Sequence, residues 1–383
     1  MKIAYIVNAR MPTEKAHGYQ IATMCAEMEK AGADVELFVP RRRNGIAEDV
    51  FSYYGLPRAF KATYVPCFDA VRFARFLGPA AFVIQTKLFL RALCRAGVGK
   101  DAVIYTRNPE VAAAYSKGGY KVFYDAHNFP EKEKSAAKLV DELRGAAGLI
   151  ANSRGTAQAV RARGFARVLV APNGVDIAAF DGVPEKSVLR RSLAQDIGIS
   201  AFATDARIVT YVGHLYPWKG VDTVIGAAAE RPEETFLIIG GTDEDRARYA
   251  DIVRRRGLKN VIILGHVRHE LIPHILKASD ALLLPNAPIS KESERYTSPL
   301  KMFEYMASSV PIIASDLPSI RETLSGETAT FFKAGDPAAL ARAIGAAFAD
   351  PKASAEKAEK ARVLVERYSW KGRAEAILQF IGQ

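Results

Sequence analysis

The sequence contains few cysteines and no long uncharged apolar run. Its 383 residues include three cysteines, Cys25, Cys67 and Cys94, which match neither a metal-ligand spacing nor a disulfide framework. This favours a reducing compartment, and we expect the protein to be cytoplasmic. No uncharged run approaches the ~20 residues of a membrane-spanning helix. The opening stretch MKIAYIVNAR predicts a first strand, because its apolar run is short for a signal peptide and lacks a small-residue cleavage site.

Phosphate-loop and nucleic-acid signatures are also missing. No G-x-G-x-x-G or Walker sequence follows any of the strand-like runs, which removes the usual signals of dinucleotide redox enzymes and P-loop phosphotransferases. No zinc-finger, RRM-type or KH-type signature is present, and no carboxylate cluster offers a metal site. We therefore expect neither a nucleic-acid partner nor a required metal or cofactor.

Acidic residues are scarce in the first half of the chain. Residues 1–200 hold 29 lysines and arginines against 19 acidic residues, whereas the remainder holds 24 against 23, so the first half carries most of the net charge of +11. Within residues 41–100 the ratio is 11 to 3, beginning with Arg41–Arg43. Such asymmetry predicts an anionic partner, and an anionic membrane surface or an anionic acceptor fits better than nucleic acid.

Residues 68–96 combine apolar and basic character. They allow two interpretations: a pair of core helices broken at Gly78-Pro79, or a basic amphipathic face presented to a membrane. The core interpretation is favoured, because helices with basic outer faces are common in soluble proteins. The basic residues of this stretch are Arg72, Arg75, Lys87, Arg91 and Arg95.

Short apolar, β-branched runs alternate with helical patterns along the chain. KIAYIV, DVELFVP, AVIYT, KVFYDAH and GLIANS form one series, and RIVTYVGHL, TFLIIGG, NVIILGHV, DALLLP, VPIIAS and TATFF form a second. This pattern predicts two doubly wound α/β domains with parallel sheets. We place the first domain at 1–180, a linker at 181–206, the second domain at 207–365 and a helix at 366–383 that crosses back to the first.

In doubly wound sheets, ligands bind beyond the carboxyl ends of the strands. Lys219, in the loop GHLYPWKG after IVTYV, lies just before the next helix, where an anion is favoured. The glycine that opens this loop, Gly213, allows close approach of backbone to a ligand. His127 follows the strand YDA, where a structural role and a functional one are both open. The amide of Gly18, at the start of a helix, is another candidate anion donor.

The stretch SPLKMFEYMA, residues 298–307, predicts a helix that Ser298 caps and Pro299 begins. Lys301 and Glu304 lie three residues apart and hence on one side of the helix. They form either a surface ion pair or part of a site for a ligand with hydroxyls and phosphates.

At this point the residues resemble a known family. The segments PNGVD, YVGHLYPWKG, LIIGG, ILGHV, DALLLP and SPLKMFEYMASSVPIIASDLPSIRE look like the retaining nucleotide-sugar glycosyltransferases of family 4 (glycosyltransferase group 1). The resemblance is dense over about residues 170–350 and looser in the first domain, where it rests on AHG, YDAHN and IANS. It implies the GT-B architecture, in which two Rossmann-like domains face each other across a cleft.

The resemblance also implies residue roles, with the donor on the second domain and the acceptor on the first. Glu304 would hold the ribose hydroxyls, Lys219 the diphosphate, and His127 would approach the donor sugar; these three are the catalytic candidates. The amides of Leu300 and Lys301 would support the diphosphate, and the side chain of Lys301 is left open between a ligand contact and solvation. The full set of donor-binding candidates is Gly18, Gly213, His214, Lys219, Gly241, His266, Val267, Arg268, Tyr296, Ser298, Pro299, Leu300, Lys301 and Glu304.

Two positions depart from the family pattern. A glutamate commonly lies eight positions before the helix glutamate, where this chain has Tyr296; Glu292 and Glu294 are nearby candidates for its role. An arginine often follows the first glycine of the loop, where this chain has His214. Both departures bear on the contacts to the donor.

The resemblance predicts a retaining, metal-independent hexosyltransferase-like enzyme that uses a UDP or GDP sugar. Its acceptor would be a glycan or lipid-linked saccharide of a bacterial envelope, reached from the inner face of the membrane as a peripheral protein. The alternatives are a nucleotide-sugar epimerase or hydrolase of the same fold, or a non-catalytic module that binds sugar nucleotides or glycans.

Overall fold

The computed structural model describes residues 1–42, 45–203 and 205–383. Arg43, the last of the three consecutive arginines, lies outside the described residues. The chain divides into two compact units. The first unit comprises Met1–Pro172 together with Trp370–Gln383, and the second comprises Asn173–Ser369.

A seven-stranded parallel sheet forms the centre of the first unit. Its strands are β1 Lys2–Ile6, β2 Asp34–Pro40, β3 Lys61–Val65, β4 Val103–Thr106, β5 Val122–Ala126, β6 Gly148–Ala151 and β7 Val168–Val170. They run in the order β3-β2-β1-β4-β5-β6-β7, with every pair parallel. Strands β5 and β6 are buried along their whole length, as is typical of parallel strands covered by helices on both faces.

Helices connect these strands. They are α1 Ala16–Lys30, α2 Val50–Tyr54, α3 Ala74–Leu77, α4 Ala80–Ala96, α5 Pro109–Lys117, α6 Glu133–Leu143 and α7 Arg154–Arg161. The chain winds outward from β1 to β3 and then returns to the other side of β1 with β4. The carboxyl ends of β1 and β4 therefore flank the topological switch point of this sheet.

The second unit contains a six-stranded parallel sheet. Its strands are β8 Ile208–Val212, β9 Thr235–Ile239, β10 Val261–Leu264, β11 Ala281–Leu284, β12 Ile312–Ser315 and β13 Thr330–Phe332. Their order is β10-β9-β8-β11-β12-β13, so the switch point lies between β8 and β11. Alternation along β8 sends Val209 and Tyr211 into the hydrophobic core on one face and Ile208 into the core on the other.

Eight helices of the second unit cover its sheet among the described residues. They are α8 Lys186–Gln195, α9 Val221–Glu230, α10 Asp243–Arg255, α11 Ile272–Ala278, α12 Leu300–Ala307, α13 Pro318–Arg321, α14 Pro337–Ala349 and α15 Pro351–Val365. Helix α8 and the short 3-10 helix Ser200–Ala203 lie in the stretch 181–206 that the sequence predicts as a linker. Both belong to the second unit, because Leu189, Leu193 and Phe202 are buried in its core.

The last helix, α16 Trp370–Gly382, returns to the first unit, as the sequence predicts. The Phe380 ring meets that of Phe123 edge to face, with centroids 5.7 Å apart, and Arg167 donates to the Phe380 carbonyl at 2.6 Å. The predicted domain boundary at residue 180 lies after the observed division at Pro172, because PNGVD already packs in the second unit, where Val175 is part of a buried cluster.

Within the described ranges, no helix combines the length and the hydropathy that crossing a bilayer requires.

Candidate functional site

The loops that follow β8 and β11 meet at the switch point of the second unit. The amide of Ala287 donates to the carbonyl of Trp218 at 2.9 Å. Gly220 has a φ of 78°, and a Cβ there would lie 1.7 Å from the Pro285 carbonyl oxygen. Only glycine permits this approach, so the two loops are held together at the place where an α/β sheet binds ligands.

Lys301 is buried at this switch point. It is 7% exposed, and its ammonium lies 3.7 Å from the centroid of the Tyr211 ring, a cation–π contact. No hydrogen-bond acceptor among the described residues meets the ammonium. Burial, and then the nearby charge of Lys219, lower the pKa of Lys301 well below its usual value. The alternative of a solvated Lys301 side chain is wrong, because α12 packs this residue against Tyr211 of β8.

Lys219 is the second cation of the site. It ends the short 3-10 helix Pro217–Lys219, and its ammonium lies 3.8 Å from the centroid of the Trp218 ring. Burial lowers the pKa of Lys219 to about 8, against the opposing charge of Glu292. No carboxylate of the described chain lies within ion-pair distance of Lys219 or Lys301. Two weakly compensated cations thus lie together, an arrangement that an anion would stabilise.

Helix α12 begins at Leu300, with Pro299 in the N-cap position. No side chain caps it, so its first amides have no partner within the helix. The prediction that Ser298 caps this helix is wrong: its hydroxyl accepts from the amide of Asn173 at 3.2 Å, and its carbonyl accepts from the side chain of Asn173 at 2.6 Å. These bonds hold the start of α12 in place and leave the amides of Leu300 and Lys301 available to an anion.

Glu304 faces a histidine rather than Lys301. Its Oε1 lies 2.8 Å from Nε2 of His269, in the 3-10 helix His269–Leu271. The carboxylate is 12% exposed, and the imidazole is 38% exposed. The alternative of a surface ion pair between Lys301 and Glu304 is therefore wrong, since Lys301 turns inward. The second carboxylate oxygen of Glu304 is suited to accept hydroxyl hydrogen bonds.

The segment His266–Arg268 follows β10. Val267 packs on the hydrophobic cores of the second unit, whereas His266 is exposed. Arg268 forms a surface ion pair with Glu270 at 2.7 Å. Val267 therefore anchors a segment whose other two residues, His266 and Arg268, are exposed, directly before His269.

Tyr296 ends one turn of π-helix, Glu292–Tyr296, and is partly buried. The turn is held by Ser319, whose hydroxyl donates to the Ser293 carbonyl at 2.8 Å. The charge of Glu292 acts on Lys219. Of the two glutamates near the departure at Tyr296, Glu292 is the one whose charge acts on the predicted diphosphate lysine.

The remaining predicted positions of the second unit surround β8. A Cβ at Gly213 would lie 3.5 Å from the ammonium of Lys301, so this glycine borders the two cations. His214 stacks on Tyr216, with ring centroids 5.0 Å apart, and its carbonyl accepts from the Tyr211 hydroxyl at 2.5 Å. Gly241 faces Leu215, and a Cβ there would lie 2.6 Å from the Leu215 side chain. Gly241 thus has a packing role, and Gly213 lies nearest to the cations.

In the first unit, His127 belongs to a buried ionic network. Its Nε2 lies 2.9 Å from the Asp125 carboxylate, which also accepts from Arg373 of α16 at 3.0 Å. Burial and then the Arg107 cation lower the pKa of His127 to about 4, against the opposing charge of Asp125. Burial alone would raise the pKa of Asp125, but His127 and Arg373 hold it well below its usual value. The imidazole is therefore neutral at pH 7, held in place by a carboxylate.

Gly18 lies in the first turn of α1. Its amide donates to the carbonyl of Lys15 at 2.9 Å. A Cβ there would lie 2.0 Å from the hydroxyl oxygen of Tyr54. That oxygen accepts a hydrogen bond from the Thr13 amide. The structure thus gives this amide an internal partner, and the close packing on Tyr54 is a structural reason for glycine.

No group of three or more His, Cys, Asp or Glu side chains is arranged to hold a metal ion in the part of the chain that the structure describes.

Two family models match the sequence. The model described as "Glycosyl transferases group 1" matches residues 194–380, and "Glycosyltransferase Family 4" matches residues 18–179. The chain belongs to the glycosyltransferase family that these two models describe. Solved structures of the fold agree over the whole chain. Anabaena Alr3699/HepE, solved in complex with UDP-glucose, has a TM-score of 0.77 at 18% identity, covering 100% of this chain and 99% of that one.

Other proteins similar to this family 4 chain carry different descriptions. WaaG, described as a glycosyltransferase involved in lipopolysaccharide biosynthesis, has a TM-score of 0.71 at 13% identity, covering 99% of both chains. The D-inositol 3-phosphate glycosyltransferase of Xylanimonas cellulosilytica is 26% identical over 57% of this chain and 51% of its own length. The chain thus spans about half the length of the curated relatives it matches. The fold is GT-B, with two Rossmann-like domains.

The sequence reasoning missed three residues around the site of this family 4 chain. Tyr211 lies under the Lys301 ammonium, and His269 pairs with Glu304. Asn286 directly follows β11 and Pro285; it is fully buried, and neither polar atom of its side-chain amide has a hydrogen-bond partner among the described residues. Asn286 could be found from its place at a strand's carboxyl end, whereas the other two contacts join distant elements and have no sequence signal.

Proposed function

We propose that the chain is a retaining glycosyltransferase that uses a nucleoside-diphosphate sugar, with UDP or GDP as the nucleotide. The observation that carries this proposal is a pair of cations, the buried Lys301 and the half-buried Lys219, beside the uncapped start of α12. Two ammonium groups and first-turn amides match the charge and the oxygen acceptors of a diphosphate. Solved structures of the same fold hold UDP and UDP-glucose, which supports the same donor class here.

The proposed donor contacts follow from this pair. Lys219, Lys301 and the amides of Leu300 and Lys301 hold the diphosphate. Glu304, oriented by His269, accepts hydrogen bonds from the ribose hydroxyls, and the backbone of His266–Arg268 meets the base. Tyr296 and Glu292 are the proposed contacts of the donor sugar. The predicted roles of His127 and Gly18 towards the donor stay predictions.

For the reaction we propose attack on the same face of the sugar from which the diphosphate leaves. The bond between the anomeric carbon and the phosphate oxygen breaks, and the acceptor oxygen bonds to that carbon. The departing phosphate takes the acceptor's proton. Lys219 and Lys301 stabilise the negative charge that develops on the leaving group, so no metal is needed for that purpose.

The proposed acceptor is an envelope glycan or a lipid-linked saccharide. The excess of basic residues in the first 200 positions supports an anionic acceptor or a location at the inner face of an anionic membrane. The relative named a D-inositol 3-phosphate glycosyltransferase and the neighbour involved in lipopolysaccharide biosynthesis are consistent with that class.

A thermal-shift screen against nucleoside diphosphates and their sugars identifies the donor, since a ligand that binds only the folded state raises the melting temperature. Incubation of that donor with candidate acceptors, followed by NMR of the product, tests retention. The result contradicts this proposal if the anomeric configuration is inverted. It favours the epimerase or hydrolase alternative if the donor is rapidly converted without an acceptor, and the binding-module alternative if the donor binds but nothing is turned over.

A further inference from the structure

The segment 68–95 of the first unit exposes an unusual concentration of large apolar side chains. Seven of the thirteen exposed large hydrophobic residues of the described chain lie within residues 68–84. Phe76 is 84% exposed, and Phe82 and Val83 are each 58% exposed. The seven are Phe68, Phe73, Phe76, Leu77, Phe82, Val83 and Ile84. Single exposed apolar residues are ordinary on protein surfaces, but a contiguous group marks an interaction surface.

This exposure follows from the way the two helices pack. Helix α4 turns Ala81, Gln85, Phe89 and Leu93 towards the protein, a period of about four residues that uses one face. The other side of its first turns carries Phe82, Val83 and Ile84. Helix α3 buries none of its residues. The interpretation of residues 68–96 as two core helices therefore holds for one face of α4 and not for α3.

Basic residues surround the apolar group. Between residues 70 and 100 there are six lysines and arginines and no acidic residue. None of the six has an ion-pair partner among the residues that the structure describes. Five of them lie within residues 68–95: Arg72, Arg75, Lys87, Arg91 and Arg95. Lys87 and Arg91 are exposed one turn apart on α4, beyond its apolar first turn.

We propose that this surface, residues 68–95, docks onto an anionic phospholipid bilayer. Phe76, Leu77 and Phe82 enter the boundary between headgroups and acyl chains, and the arginines and lysines bind lipid phosphates. The inference rests on the proposed function in one respect: docking brings the enzyme to a lipid-linked acceptor. It goes beyond that function by assigning the docking to particular side chains.

Charge argues for a lipid surface over a second copy of the chain. An interface between two copies would bring two of these segments together, each with five positive charges and a single acidic residue, Asp69, which already pairs with Arg10. A membrane rich in acidic lipids supplies both the negative charge and an apolar phase for the phenylalanines.

The test uses the full chain and vesicles of phosphatidylcholine with or without phosphatidylglycerol. We expect co-sedimentation with the mixed vesicles only, weakened by salt because surface charges are screened. The double variant Phe76→Ser/Phe82→Ser and the triple variant Lys87→Gln/Arg91→Gln/Arg95→Gln should each lower the partition coefficient at least tenfold. The matched controls alter exposed residues elsewhere: Val188→Ser/Val363→Ser for the apolar pair and Lys352→Gln/Lys360→Gln/Lys371→Gln for the basic triplet.

A second measurement reports insertion directly. The variant Phe82→Trp should gain fluorescence that brominated lipid quenches, over the signal of the native tryptophans. All variants should keep the thermal shift that a nucleoside diphosphate produces, so failure of the docking surface is distinguishable from failure of the donor site. The inference is overturned if wild-type protein ignores the mixed vesicles, if the controls lose binding as much as the test variants, or if sedimentation shows a dimer that Phe76→Ser/Phe82→Ser dissociates.

Discussion

Replacing Lys219 with methionine removes a partly buried charge. In the free protein that charge lowers the stability of the fold, and in the complex it contributes to the affinity for a diphosphate. Methionine keeps the apolar stem against Trp218 but has no ammonium. Burial lowers the pKa of Lys219 from 10.5 to about 8, which corresponds to about 3 kcal/mol at about 1.4 kcal/mol per pH unit. Because the side chain is partly exposed, solvent screening reduces this cost to on the order of 2 kcal/mol.

The sign follows from the lowered pKa. Below pH 8 the folded chain holds the proton at full cost, and between pH 8 and 10.5 the unfolded chain binds more protons, so stability rises with pH. At pH 7 the Lys219→Met variant should therefore be more stable than wild type by about 2 kcal/mol. The difference should shrink above pH 8 and vanish above 10.5. Urea unfolding at pH 7 and at higher pH measures it.

Ligand binding should change in the opposite direction. One ammonium close to one phosphate charge contributes roughly 4 kcal/mol at intermediate dielectric, and its desolvation offsets about half of this. A net loss of about 2 kcal/mol weakens diphosphate binding by about 30-fold in Lys219→Met. Near pH 8, binding should also take up protons in wild type, because the bound anion raises the pKa of Lys219. Calorimetry in buffers of different ionisation enthalpy detects that uptake.

Lys259→Met is the control, since Lys259 is exposed on the same unit. It should change neither stability nor affinity. The reasoning is refuted if Lys219→Met is no more stable than wild type at pH 7 while its affinity for the diphosphate is unchanged, because the ammonium then has neither the burial nor the ligand that we assign to it.

Three further predictions concern other parts of the molecule. Glu304→Gln should weaken binding of a nucleoside diphosphate about tenfold, through a lost charged hydrogen bond, while titration with pyrophosphate shows no change; equal losses for both ligands would contradict a ribose role. Asp125→Asn should destabilise the protein by about 3–5 kcal/mol in urea unfolding, because Arg373 is left buried without its carboxylate, whereas Asp101→Asn, in an exposed pair with Lys2, should leave the urea midpoint unchanged. Gly220→Ala should lower stability by more than about 2 kcal/mol, since it adds a collision with Pro285 to the cost of left-handed backbone. Gly257→Ala, at a φ of 66° with open space around the Cβ, measures the backbone cost alone, and equal losses at both positions would contradict the collision.

Much of the fold could be predicted from local patterns. The alternation of apolar runs and helices indicates two parallel sheets, and strand ends locate the loops that carry Lys219 and His127. The irregular stretch 181–206 misled the prediction because its apolar positions are few, yet Leu189, Leu193 and Phe202 still find a core.

The candidate site was predictable as a region but not as a set of contacts. The spacing of Lys301 and Glu304 shows that they share a side of a helix, but not that Lys301 turns inward over the Tyr211 ring and Glu304 pairs with His269. The partners of Asp125 show the same limit: His127 is two residues away, whereas Arg373 lies in the last helix of the chain. Such pairings depend on packing between elements far apart in sequence.

The buried ion pair of Asp125 and Arg373 also has a consequence for synthesis on the ribosome. Strand β5 is translated early, but the guanidinium that neutralises its carboxylate arrives with α16, after the whole second unit has been made. The second unit is continuous in sequence, so all of its residues are translated before α16. We expect the first unit to complete its core only after α16 has been translated, because the Asp125 carboxylate favours water over an apolar core until Arg373 neutralises it.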